Sequence, residues 1–146
     1  MPTLPDFLLL SLVGLAAYCD IDRRRIPNLL VVSGLAAALL LHLASGGPPA
    51  MLRLGLAGMA AGGAIFLPLY LLRGMAAGDV KLMAMVGAFL GPATAALAAM
   101  LTVIAGGGVA LLMLALSRYT GRPLTGMPYA LAIALGTTCA VAATRA

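Results

Sequence analysis

Few residues in this chain can do acid–base chemistry. Of its 146 residues only four are acidic, and all four are aspartates. Asp20 and Asp22 stand in Cys19-Asp20-Ile21-Asp22-Arg23-Arg24-Arg25-Ile26-Pro27-Asn28, Asp79 stands in Gly78-Asp79-Val80-Lys81-Leu82, and Asp6 lies near the start. An acid is costly beside lipid, so acids flanked by apolar spans mark a functional site by default. Two carboxylates a few ångströms apart share a proton and titrate as a pair. The ionised member can take a proton from water while the protonated one polarises a carbonyl, which is the aspartic-protease arrangement and needs no metal. Two other uses stay open from the residues alone. Asp20 and Asp22 can pair with Arg23, Arg24 and Arg25, and Asp79 with Lys81; or the acids can serve an ion or proton pathway. A pathway predicts polar groups deeper in the spans, where the chain offers little beyond scattered Ser and Thr.

Other catalytic toolkits are missing. The two cysteines, Cys19 and Cys139, form no CxxC pair, and with a single histidine, His42, they make a structural zinc site untenable. There is no phosphate-binding loop and no serine–histidine pair near a polar connection. No metal and no cofactor is expected.

The elements that must position these acids are apolar helices. The chain is 63% hydrophobic and 9% charged, with mean hydropathy +1.11, whereas a soluble domain carries about 25% charged residues. We therefore expect an all-α, polytopic membrane bundle forming a single domain over residues 1–146. Apolar runs cover 4–18, 26–44, 51–72, 80–90, 93–116 and 127–143, giving about six spans. The 45–49 segment, Ser-Gly-Gly-Pro-Pro, ends the second run with strong turn signals, and Gly91-Pro92 is the best break between the fourth and fifth. The third run carries Gly55, Gly58, Gly62 and Gly63, which suit close helix approach within the bundle or lateral docking of another helix. The N-terminus lacks a basic n-region, so the first run reads as a retained anchor.

Charge sets the orientation. With the 20–25 segment in the cytoplasm, Arg23, Arg24, Arg25, Arg73, Lys81, Arg118 and Arg122 fall inside, and only Arg53 and Arg145 fall outside, seven of the nine basic residues against two. That is the asymmetry of the positive-inside rule, and it puts both termini outside. The net charge of +5 is thereby explained without nucleic acid, for which there is no aromatic-interleaved basic patch. An even number of crossings separates Asp20 from Asp79, so the two can meet at the cytoplasmic face.

At these residues the chain resembles the type IV prepilin peptidases, and among them the short, single-domain branch serving Flp-type tight-adherence pili. The similarity lies in Asp20 followed by a basic stretch and Ile26-Pro27-Asn28, and in Ala76-Ala77-Gly78-Asp79-Val80-Lys81-Leu82, close to a Gly-x-Gly-Asp motif. It continues through residues 85–91 and 127–136. The resemblance implies a membrane aspartic endopeptidase of the bacterial inner membrane with Asp20 and Asp79 as the catalytic pair. Its substrate would be a prepilin or pseudopilin with a basic leader and a hydrophobic helix, cut at the cytoplasmic face. Asp22, Gly78, Lys81, Pro27 and Asn28 are supporting residues: Asp22 balances the arginines, Lys81 anchors its loop or acts on Asp79, Pro27 starts the second span, and Asn28 caps it or bonds Asp20. Ala76 replaces the first motif glycine, which puts the loop's shape in question. The four-cysteine loop of the larger, bifunctional members has no counterpart here, so cleavage without N-methylation is expected. The rival functions are a small proton- or cation-coupled transporter subunit and a non-catalytic component of a pilus or secretion machine.

Overall fold

The computed structural model describes residues 3–120 and 129–145, and among them it is all-helical. The order is α1 (Leu4–Arg23), α2 (Asn28–Ala50), a π-helical stretch (Met51–Leu56) leading into α3 (Ala57–Leu71), α4 (Ala77–Leu90), α5 (Pro92–Thr120) and α6 (Tyr129–Arg145). Three stretches are long and apolar enough to cross a membrane: Leu4–Arg23, Asn28–Leu71 and Pro92–Tyr119. The 121–128 connection with Arg122, and the expected start of the last span at Met127, lie outside the described residues.

Local signals explain most boundaries. α1 runs on through Asp20 and Asp22, five residues beyond the apolar stretch, and closes with Arg24 in the left-handed region (φ 51°). Pro27, extended at φ −62° and ψ 127°, is the N-cap of α2, and its carbonyl accepts the Leu30 and Val31 amides. Inside the Asn28–Ala50 range Gly47 leaves helical geometry at φ 67°, a conformation glycine adopts without penalty. There the chain reverses, because Gly55 lies back against Leu39 and His42. Gly91, at φ 78°, makes the turn between α4 and α5.

The core centres on α4, which packs against every other α-helix. Leu82, Met83, Met85, Val86, Ala88 and Phe89 are all buried along it. The close approach of α3 depends on its glycines: a Cβ at Gly58 would strike the Gly87 carbonyl, and one at Gly62 the Met83 carbonyl. Gly58 and Gly62 therefore serve packing within the bundle, where α4 already occupies their face. His42 on α2 is within hydrogen-bond distance (3.0 Å) of the Ala88 carbonyl near the end of α4, far along that helix from Asp79.

Candidate active site

Asp79 is the third residue of α4. Its carboxylate accepts the Ala76 amide at 3.0 Å, the side-chain half of a capping box, which satisfies a donor the helix cannot. Ala76, the N-cap, is extended at φ −81° and ψ 155°, a region open to alanine, so the missing motif glycine causes no backbone strain here. Phe66, buried on α3, stands at the level of Asp79 by the register of the Gly58–Gly87 and Gly62–Met83 approaches. Asp79 itself is 4% exposed.

Asp20 reaches the same place from the C-terminal turn of α1. Its carboxylate accepts the Ala130 amide from the first turn of α6 at 3.3 Å. Each carboxylate therefore receives one backbone N–H, Asp79 from the N-cap of its own helix and Asp20 from α6. The two line one cleft of about 220 Å³ with Arg24, Arg25, Ile26, Asn28, Ala76, Gly78 and Lys81. Neither has an ion-pair partner among the described residues. Burying an acid without a counter-charge is costly unless something else requires it.

The remaining candidate residues separate into two groups. Gly78, Lys81 and Asn28 line the cleft, and Lys81 Nζ donates to Asn28 Oδ1 across it at 3.3 Å. This corrects two expectations: Pro27, not Asn28, is the cap of α2, and the side chain of Asn28 accepts from Lys81, with no hydrogen bond to Asp20 among the described residues. Lys81 in turn is not paired with Asp79. A Cβ on Gly78 would rest against Ile26 at 3.4 Å, so Gly78 forms an open wall of the cleft. Pro27 sets the α2 start but does not line the cleft. Asp22 points elsewhere; it is exposed and pairs with the neighbouring Arg23 at 3.4 Å.

Four residues lie beyond the candidate set. Arg24 and Arg25, which the sequence offers as orienting charge and as partners for Asp20 and Asp22, both line the cleft. The Ala130 amide gives no sequence signal, since any residue but proline supplies it. Asp6, at the far end of α1, pairs with Arg145 of α6 at 3.2 Å.

A helical bundle of this hydropathy, with aspartates from two helices lining one cleft, belongs to the class of polytopic membrane proteins. The type IV leader peptidase family model matches residues 7–111, and the chain belongs to that family. No curated protein and no solved structure matches it. The match takes in both Asp20 and Asp79 but not α6.

Proposed function

We propose that this protein is a membrane aspartic endopeptidase that removes the basic leader of prepilins or pseudopilins, with Asp20 and Asp79 as its catalytic pair. The observation that carries the reading is the meeting of these two acids in one cleft, with no ion pair to either among the described residues, in a chain of the leader-peptidase family. Six spans with both termini outside, as charge asymmetry favours, set that cleft at the cytoplasmic face of the inner membrane. There it meets a leader that stays in the cytoplasm.

In the reaction one carboxylate is ionised and the other protonated. The ionised member takes a proton from a water, whose oxygen attacks the scissile carbonyl carbon. The protonated member hydrogen-bonds the carbonyl oxygen and gives up its proton as the tetrahedral intermediate forms. Collapse breaks the C–N bond: the amine leaves with the proton that the first carboxylate collected, and one hydroxyl of the intermediate returns its proton to the second, which restores the starting pair. The backbone amides of Ala76 and Ala130 hold the two side chains in place without neutralising them. No methyl transfer enters this scheme.

The test is co-expression with a candidate prepilin, with leader removal read by mass spectrometry. Asp20→Asn and Asp79→Asn should each abolish cleavage while the protein still inserts and folds, because asparagine keeps an acceptor for the amide each side chain binds. Cleavage that survives either change would sink the proposal.

A further inference from the structure

The two flanks of the bundle reach different heights at the site end. Two registers place the cleft along α5. Gly87 of α4 lies beside Ala95, which sets Asp79 near residue 103, and the Tyr129 ring lies against Gly106, next to the Ala130 amide that binds Asp20. Up to Gly106, α5 has buried residues; from Gly107 to Tyr119 it has none. It nevertheless continues to Thr120, which at 1.5 Å per residue is roughly 20 Å past the cleft. This extension is apolar all round: Leu111, Leu112, Leu114 and Leu116, all exposed, point in different directions. A one-sided stripe would suit a partner helix, whereas an apolar circumference suits lipid. It ends at Arg118 and Tyr119, the residue types that anchor a helix at the headgroups. α3 repeats the pattern: beyond the level of Phe66 it exposes Leu67, Leu71 and Leu72 before Arg73 turns the chain.

The opposite flank is polar at the height of the carboxylates. Asp22, Arg23, Arg24, Arg25, Asn28 and Lys81 are all exposed there. α4 points the same way by length, to a depth about half the α5 overhang, which a tilted α5 accommodates. The 14 residues of α4 rise roughly 20 Å, short of the ~30 Å hydrocarbon layer. If its Gly91 end reaches one face, its Asp79 end stops about 10 Å below the other.

We propose that the cleft lies beneath the membrane surface, in a polar recess open on the α1–α2 flank, while lipid rises along α3 and α5 to Arg73 and Arg118. A segment entering from the cytoplasm reaches the carboxylates down the α1–α2 side, and an apolar helix attached to it stays in lipid. The placement does not depend on what the carboxylates do.

Spin labels on the full-length protein in phosphatidylcholine–phosphatidylglycerol vesicles test it, with Cys19 and Cys139 replaced by serine. Labels go at Leu71 and Leu112 on the tall flank and at Ile21 and Leu29 on the low one. All four side chains are exposed, so labelling should leave the fold intact. At Leu71 and Leu112 collisions with oxygen should exceed those with a water-soluble nickel chelate several-fold, and at Ile21 and Leu29 the ratio should invert. Nickel contact at Leu112 would put the extension in water, and an immobile label shielded from both reagents would put it under a protein partner. Either result overturns the proposal, as does equal depth for all four labels.

Discussion

Asp6 and Asp79 occupy the same local position at opposite ends of the bundle. Each is the third residue of its helix and is almost fully buried, at 2% and 4% exposure. Each accepts the amide of its own N-cap, Thr3 at 2.7 Å and Ala76 at 3.0 Å. Beyond that they part. Asp6 also accepts the Thr3 hydroxyl at 2.8 Å and faces Arg145 with contacts of 3.2 and 3.3 Å. Positive charge at the C-terminal turn of α6 and negative charge in the first turn of α1 also suit the two helix dipoles. Asp79 faces a second acid and a cleft. Burial alone therefore does not set the two acids apart; a direct ion pair at Asp6, and a second carboxylate in a shared cleft at Asp79, do.

The comparison is sharpest on activity. Asp20→Asn and Asp79→Asn should each lower leader cleavage by at least ~10³-fold, in the range expected when an acid–base group is removed. Asp6→Asn should leave the rate of the folded enzyme within about twofold, since Asp6 stands roughly 20 Å along α1 from Asp20 and its charge acts on the contact with Arg145 rather than on the cleft. Site-specific cleavage assays on purified protein decide between them. A catalytic loss with Asp6→Asn as large as with Asp79→Asn would break the distinction.

Acidity offers the next contrast. A pair that must hold one proton fails when both carboxyls are protonated and again when both are ionised. The cleavage rate should thus be bell-shaped in pH, falling about tenfold per unit on each outer limb. A rate that only rises with pH would mean a single base at work, and the pairing of Asp20 with Asp79 would be wrong. The Asp6–Arg145 pair contributes no limb to that profile if its role is to hold α1 against α6.

Stability should show the reverse ranking. Asp6→Ala removes an N-terminal acceptor and half of an ion pair, which costs about 2–3 kcal/mol with allowance for the exposure of Arg145. Thermal unfolding in detergent measures this, and a double-mutant cycle with Arg145→Gln isolates the part owed to the pair. Asp79→Asn should be close to neutral, since it keeps the amide contact and removes the need to ionise beside another acid.

These regions were not equally legible in the sequence. The reactive acids stand in short polar interruptions of an apolar chain, so residue type and spacing reveal them. Gly47 followed by two prolines, and Gly91 before Pro92, reveal the turns for the same local reason. The Asp6–Arg145 pair depends on α1 packing beside α6, which no local pattern encodes. Asn28 was misjudged because a helix N-terminus offers a capping role to any asparagine, whereas the position of Lys81 across the cleft is a tertiary fact. The overshoot of α5 was hidden as well. Leu111 and Leu114 are as apolar as the buried Leu82, and hydropathy alone does not tell lipid from protein interior.

The finest contrast lies within α1. Asp22 is two residues from Asp20, and at 100° per residue it projects about 200° around the helix from it. That rotation turns it away from α4 and α6 toward Arg23, where the pair is exposed on both sides, 81% for Arg23 and 57% for Asp22. Such surface pairs are worth at most about 1 kcal/mol. Asp22→Asn should therefore lower cleavage by less than about threefold, mainly by leaving Arg23 unbalanced where a basic leader approaches. The loss should shrink further as salt rises, because exposed charges are screened over about 8–10 Å at physiological ionic strength. A salt titration of the Asp22→Asn and Asp20→Asn rates, side by side, separates a charge that tunes approach from one that takes part in bond cleavage. Salt-insensitive loss at Asp22, equal in size to that at Asp20, would move Asp22 into the reacting group.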